Sequence, residues 1–353
     1  MLQNTERLPE AVSRILSWYA ASRRPLPWRR EPNPYHTWIA EIMLQQTRIE
    51  AVIPYYERFL RELPDIPALA AVPEDRLLKL WEGLGYYSRA RNLRKAAQIL
   101  TERYGGELPA SAEELRRLPG IGAYTAGAVA SIAFGLPEPA VDGNVLRVVT
   151  RLLSCPDDID AQATRQAVTA LLRAHYPSGR DAALLTEGLM ELGETICLPN
   201  AAPQCGRCPL RELCTAHRDG RELSFPVRAA KKPRRIEAKT VLLLCDGAGR
   251  FAIRKRAPGG LLAGLWEFPN LDGTLSEAEA FSAARDRELS PLRLLPFGAA
   301  KHIFTHVEWH MTGYLIHCAE ASPDYLWKCP EEIARDYPLP TAFRYFQKKL
   351  GGV

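Results

Sequence analysis

Apolar residues recur at helical spacing through the first part of the chain. Ala11, Val12, Ile15, Leu16 and Tyr19 repeat every three or four positions, as do Trp38, Ile42 and Ile49. Glu113 to Leu118, Thr125 to Phe134 and Ala182 to Cys197 keep the same rhythm, with glycines and prolines between them. No convincing alternation of period two interrupts it, so helices are expected from Leu8 to about Cys214. The pattern then changes at RAAKKPRR, residues 228–235, which holds five basic residues and no acid. Beyond it Thr240 to Cys245, Phe251 to Arg254 and Glu308 to His317 read as strands joined by short turns. Leu339, Phe343, Phe346 and Leu350 complete one amphipathic helix. The expected organisation is an all-α domain over 1–218, a basic linker over 219–237 and a smaller α+β domain over 238–353.

Composition adds limits rather than a function. At 353 residues the chain can bury two cores, and its hydrophobic and charged fractions, 46% and 25%, are those of an ordinary globular protein. MLQNTERLPEAV lacks the apolar stretch of a secretion signal and no run reaches membrane-spanning length, so a cytoplasmic, otherwise intracellular, protein is expected. The net charge of +5 is compatible with nucleic acid but weak alone. Placement says more: Arg23-Arg24 and Arg29-Arg30 flank Trp28, and Arg89 and Arg91 follow Tyr86-Tyr87. Basic residues beside aromatics suit phosphates and bases, although any single cluster reads more readily as a solvated face.

Eight cysteines in a reducing compartment point to thiols or metal ligands rather than disulfides. Cys197, Cys205, Cys208 and Cys214 form C-x7-C-x2-C-x5-C and can converge on one centre. Zinc sites usually use two CxxC knuckles and this run has one, so a [4Fe–4S] cluster fits better than zinc, which stays open. Cys155, Cys245, Cys318 and Cys329 are scattered and read as structural. Arg207 and Arg211 within the loop suggest that the metal shapes a basic ridge.

Chemistry concentrates elsewhere. In LPGIGAY, residues 118–124, Gly120 and Gly122 permit a tight turn, and a helix follows, so free N–H groups and a helix N-terminus face the same way. That is a phosphate grip, or an ordinary turn between helices. Downstream, VDGNV places Asp142 between apolar runs. Upstream, Glu41 sits in WIAEIMLQQT, where apolar neighbours should make it reluctant to ionise, as a proton donor requires. The commoner fate of either acid is a salt bridge or a helix cap.

Together AEIMLQQT, WEGLGYYSRARNL, LPGIGAYTAGA, VDGNV and the cysteine run closely resemble the MutY-type adenine DNA glycosylases of the helix-hairpin-helix superfamily, which also holds endonuclease III. The resemblance spans nearly the whole chain. It implies an all-α helix-hairpin-helix glycosylase domain with an iron–sulfur loop (197–214), followed by a MutT/Nudix-like domain. It implies a monomer acting on double-stranded DNA, removing adenine mispaired with 8-oxoguanine or guanine. By matching position, Glu41 becomes the acid that protonates the flipped adenine, Asp142 the carboxylate that steadies the sugar cation, and Tyr124 and Asn144 their supports. Arg24, Leu26, Trp28, Arg29, Ile49, Glu187 and Met190 become the adenine pocket. Gln46, Thr47, Leu84, Tyr86, Phe304, Thr305 and His306 become the residues at the lesion base, and Gly120 and Gly122 the phosphate contacts. Endonuclease III-like relatives carry lysine where Tyr124 stands; tyrosine cannot form a Schiff base, so base removal without strand cleavage is expected.

Three departures stand out. The family usually has six residues between its first two cysteines, and this chain has seven. Thr305 replaces a serine in the family's lesion-reading loop. After GGLLAGLWEFP the acidic Nudix helix is missing, and the stretch from Ser282 to Leu289 lacks the clustered carboxylates that would hold magnesium, so recognition without pyrophosphate hydrolysis is expected. A pyrimidine-damage glycosylase with lyase activity and a non-catalytic iron–sulfur module are the competing readings. Tyr124 argues against the first, and the Glu41–Asp142 combination against the second.

Overall fold

Burial on every side explains the strongest helix of the site. Tyr35, Thr37, Trp38, Ile39, Ala40, Glu41, Ile42 and Met43 are all buried, as happens when a helix is threaded through a core rather than laid on it. In the computed structural model this segment is α3. The structure describes residues 5–30, 33–199, 201–229 and 233–351. Residues 230–232 of the expected linker lie outside them.

The helices up to the hairpin are α1 (Leu8–Ser22), α2 (Pro27–Arg30), α3 (Pro34–Leu44), α4 (Ile49–Glu62), α5 (Ile66–Ala71), α6 (Glu74–Leu80), α7 (Ser88–Arg103) and α8 (Ala112–Leu115). Then come α9 (Ala123–Phe134), α10 (Gly143–Leu153), α11 (Gln162–Arg173), α12 (Arg180–Thr195) and α13 (Thr215–Arg218). Beyond these lie β1 (Arg235–Cys245), β2 (Phe251–Lys255), β3 (Trp266–Glu267), β4 (Asn270–Asp272), α14 (Glu277–Arg285), β5 (Pro291–Ile303), β6 (Val307–Cys318) and β7 (Leu326–Lys328). The chain ends in α15 (Pro330–Asp336) and α16 (Arg344–Leu350).

The chain divides into two units: residues 1–71 with 92–230, and residues 72–91 with 231–353. In the first, α1, α10 and α12 pack a core of Ala11, Ile15, Val145, Val148, Leu189 and Leu192, among others. Cys197, Cys208 and Cys214 lean on that core from outside it. Asn33 caps α3 by accepting from the His36 N–H at 2.7 Å, and Pro34 occupies the first turn, where no N–H is needed.

In the second unit the sheet runs β3-β2-β1-β6-β5, with β4 also on β1 and β7 on β2. β1 and β6 pair in parallel from Arg235↔Val307 to Cys245↔His317. Alternate β1 residues feed opposite faces: Val241 and Leu243 join Phe343 and Phe346, while Leu242 and Leu244 join Ala280 and Ala284 of α14. Burial on both faces is why this strand is a continuous apolar run. The expected single C-terminal helix is split, with a short turn of 3₁₀ helix at Thr341–Phe343 ahead of α16. Pro340 immediately before that turn restrains the entry to it.

Candidate active site

Glu41 lies on α3 and is 6% exposed. Its Oε2 accepts a 2.6 Å hydrogen bond from the Tyr124 hydroxyl, which α9 carries in its first turn. Asp142 caps α10: its Oδ1 accepts from the Val145 N–H and its Oδ2 from the Asn144 amide, both at 2.8 Å. These three side chains, with Asn144, line one pocket of about 150 Å³. Of the expected pocket residues, Leu26, Trp28, Arg29, Ile49, Glu187 and Met190 line it. Arg24 does not line it. Instead it binds Glu191, and its Nη2 donates to Glu194 at 2.6 Å. Thr47, expected at the lesion, lines this same pocket.

The two acids are set apart by their surroundings. Burial raises Glu41 to about 7, Asp142 and Glu187 push the same way, and Tyr124 and Arg29 oppose. Burial also raises Asp142, but the donors at Val145 and Asn144, then Arg147, hold it back. A carboxyl that keeps its proton near neutrality thus faces one whose hydrogen bonds favour the charge, the division acid-assisted bond cleavage needs.

The hairpin glycines differ in their surroundings. Gly120 has φ +80°, and a Cβ there would stand 2.7 Å from the Asn92 side chain. Gly122 caps α9, and a Cβ there would meet nothing within 4 Å. The open space beside Gly122 leaves room for an anion at the start of α9.

Behind Asp142 lies a link the residue reading missed. Arg147 donates to the Asn144 side-chain oxygen at 2.8 Å, to the Gly193 carbonyl at 2.7 Å and to the Cys197 carbonyl at 2.7 Å. Arg151, one turn on, donates to the Cys197 sulfur at 3.3 Å. The four expected ligands, Cys197, Cys205, Cys208 and Cys214, are not disulfide-bonded and line one small cavity with Val148, Leu152 and Leu192. Burial pushes Cys208 up to about 12 and Cys214 up to about 11. Four sulfurs around an apolar cavity, with a guanidinium on one of them, fit a bound metal cluster whose charge favours thiolate. His217 and Glu222 stand at the Cys205 corner, 2.5 Å apart. Neither was singled out from the sequence.

Of the remaining lesion residues, Gln46 lies in the first unit, exposed and at φ +57°. In the second unit Tyr86 is 48% exposed at φ +48°, and its hydroxyl stands 2.9 Å from that of Thr305. Leu84, by contrast, is packed at 6% exposure, and its carbonyl accepts from Arg89 at 3.0 Å. Left-handed backbone at two non-glycine residues is costly, and such geometry concentrates at working surfaces. Phe304, Thr305 and His306 form the tip of the β5–β6 hairpin, where the Phe304 N–H donates to the Val307 carbonyl at 2.8 Å. Phe304 packs edge-on against Trp309 at 4.9 Å between centroids. No helix among the described residues is long and apolar enough to cross a membrane.

A helical hairpin beside a pocket with a buried acid and a helix-capping carboxylate is the arrangement of a base-excision DNA repair enzyme. Residues 39–174 match the HhH-GPD superfamily base excision DNA repair protein family, and residues 240–349 match the NUDIX domain. Among solved structures, a thermostable thymine-DNA glycosylase covers 61% of this chain and 99% of its own at 28% identity, with a TM-score of 0.55. An endonuclease III bound non-covalently to DNA matches similarly, over 62% of this chain and 99% of its own, at 28% identity and a TM-score of 0.53. The human adenine DNA glycosylase is 34% identical, over 96% of this chain and 74% of its own length. That of Buchnera aphidicola subsp. Baizongia pistaciae is 37% identical over 72% of each. The chain belongs to the adenine DNA glycosylase family.

Proposed function

We propose that this protein removes adenine mispaired with 8-oxoguanine, or with guanine, from double-stranded DNA, leaving an abasic site and an uncut strand. The observation that carries the reading is the buried Glu41, bonded to Tyr124 and sharing one pocket with Asp142. Adenine leaves poorly until it is protonated, and burial raises Glu41 to about 7, so much of it keeps a proton near neutrality. As the glycosidic bond lengthens, positive charge grows on the sugar, and Asp142, held by Asn144 and the start of α10, stabilises it. Tyr124 orients the Glu41 carboxyl and supplies no amine for a Schiff base. Leu26, Trp28, Arg29, Ile49, Glu187 and Met190 enclose the flipped base, and Gly120 and Gly122 hold the strand.

The four cysteines are proposed to hold a [4Fe–4S] cluster that fixes the loop carrying Arg207 and Arg211. Tyr86 is proposed to wedge into the stack while Thr305, with Phe304 and His306, reads the lesion base; Gln46, Thr47 and Leu84 support that task. Two features support recognition without hydrolysis by the second unit. Glu279 is spent on capping α14 at Ser276, and Glu267 is neutralised by Arg254 and Arg256. In domain terms, residues 1–218 are assigned the base chemistry, 219–237 the link and 238–353 the partner base.

The test is direct. Purified protein is mixed with duplexes carrying A:8-oxoguanine, A:G or an oxidised pyrimidine, and alkali-labile sites are mapped. Cleavage at the adenine only after alkali is expected. No such site, or efficient borohydride trapping of protein on DNA, defeats the reading.

A further inference from the structure

Glu191 has no part in the chemistry described so far, yet it is among the most enclosed carboxylates of the pocket, at 3% exposure. It accepts from both Nε and Nη2 of Arg24, the latter at 3.0 Å, and from Arg29 Nη2 at 3.0 Å. Arg29 is itself enclosed, its side chain 8% exposed. Its other carboxylate neighbour is Glu187, at 3.4 Å, which also accepts from the Tyr19 hydroxyl at 3.0 Å and pairs with Arg23 at 3.2 Å. The guanidinium is pinned further by donating to the Arg24 carbonyl at 3.3 Å and by the Tyr19 ring, 5.4 Å away.

This arrangement answers a problem of the pocket. Arg29 and Glu41 line the same cavity, and an unrestrained guanidinium in an enclosed site seeks the nearest carboxylate and ionises it. The groups facing Glu41 are Tyr124 from α9, Asp142 at the start of α10, Glu187 from α12 and Arg29 from α2. Glu191 and Glu194, also on α12, line the cavity. Arg29 is the only cation in that set.

We propose that Glu191 is a positioning residue that holds Arg29 against α12 and away from Glu41, so that the acid enters the reaction with its proton. The inference rests on the reading of Glu41 as proton donor. Two effects of losing the Glu191 charge act in the same direction: Arg29 is released towards Glu41, and one negative charge leaves the pocket. Both favour the ionised acid.

The test is the pH profile of base release under single turnover for wild type, Glu191→Gln, Glu191→Asp and Arg29→Leu/Glu191→Gln. In Glu191→Gln the alkaline fall should begin about one pH unit earlier, lowering the neutral rate roughly fivefold while sparing the rate near about pH 5. The double variant should return the fall to its wild-type position or above, because Arg29, the one cation facing Glu41 among the described residues, is gone. Glu191→Asp, which folds with the charge in place, should displace the fall in the same direction by less. An unmoved profile, or a loss equal at every pH, overturns the proposal. A wild type that releases no base at any pH would instead defeat the reading of Glu41, leaving the two failures distinguishable.

Discussion

Replacing Glu41 by glutamine should abolish base release and, above neutral pH, make the protein more stable. A carboxyl moved from its ordinary 4.5 to about 7 is disfavoured in its ionised form by about 3 kcal/mol. The sign follows from linkage. The native value lies above the unfolded one, so the stabilisation is complete below about pH 4.5 and is lost as pH rises through about 7. Glutamine keeps the shape and an acceptor for the Tyr124 hydroxyl, whose bond to Glu41 spans 2.6 Å, but it has no charge to bury. Allowing for a poorer hydrogen bond, Glu41→Gln should gain on the order of 2 kcal/mol at about pH 8 and little at about pH 5.

The assay is thermal unfolding of both proteins at matched pH, so that whatever the cysteine loop binds contributes equally to each. A gain of that size moves the midpoint by roughly 4–8 °C at the alkaline end. In parallel, the wild-type single-turnover rate should fall about tenfold between about pH 6 and about pH 8 as the donor empties. Glu41→Gln should show a rate at least a hundredfold lower throughout, the scale expected for a lost general acid. Parallel stability curves for the two proteins would refute the premise that Glu41 holds its proton because it is buried.

Other perturbations separate the parts. Tyr124→Phe removes the bond that favours ionised Glu41, so the alkaline fall should move to higher pH while the best rate drops roughly tenfold; a fall shifted the other way would contradict the assignment. Gly120→Ala forces a side chain on to a backbone at φ +80° and against Asn92, so denaturant unfolding should show a loss of about 1–3 kcal/mol and duplex affinity should fall with it. Thr305→Ala cuts the contact to the Tyr86 hydroxyl. The rate ratio between A:8-oxoguanine and A:G duplexes should shrink severalfold, with the A:G rate nearly unchanged.

What could be read from residues alone was what is local. The LPGIGAY turn, the Asp142 cap and the CxxC knuckle are each decided within about five positions, so their types and spacing carry the geometry. The remainder depends on which faces meet. Arg147 and Arg151 sit one turn apart in GNVLRVVTRLL and look like the polar stripe of a surface helix, yet both are buried because α10 packs against α12. No local signal marks their burial: with Asn144 and Thr150 they form one polar face of α10 opposite its apolar one, as on a surface helix. Nothing in residues 72–91 marks them as companions of 231–353, because Lys79 reaching the carbonyl of Ala334, 255 positions away, is a tertiary event. Leu84 is expected at the lesion by resemblance alone; the turn that leaves Tyr86 exposed packs Leu84 inward, a difference no local pattern shows.

The roles in the pocket follow from counting partners. Besides Glu194, which pairs with Arg24, Glu41, Asp142, Glu187 and Glu191 line one cavity, and four more ionised carboxylates cannot share it unpaired. Glu191 is answered by Arg24 and Arg29, and Glu187 by Arg23, Arg29 and the Tyr19 hydroxyl. Asp142 is answered by the Val145 N–H and the Asn144 amide at the start of α10. Among the described residues Glu41 has only the Tyr124 hydroxyl. It is the least compensated of the four, and so the one for which neutrality costs least. A site that must donate a proton and then steady a cation needs that inequality between its acids. Here it is made less by the acids themselves than by where α12 places Glu187 and Glu191 and which arginines they restrain.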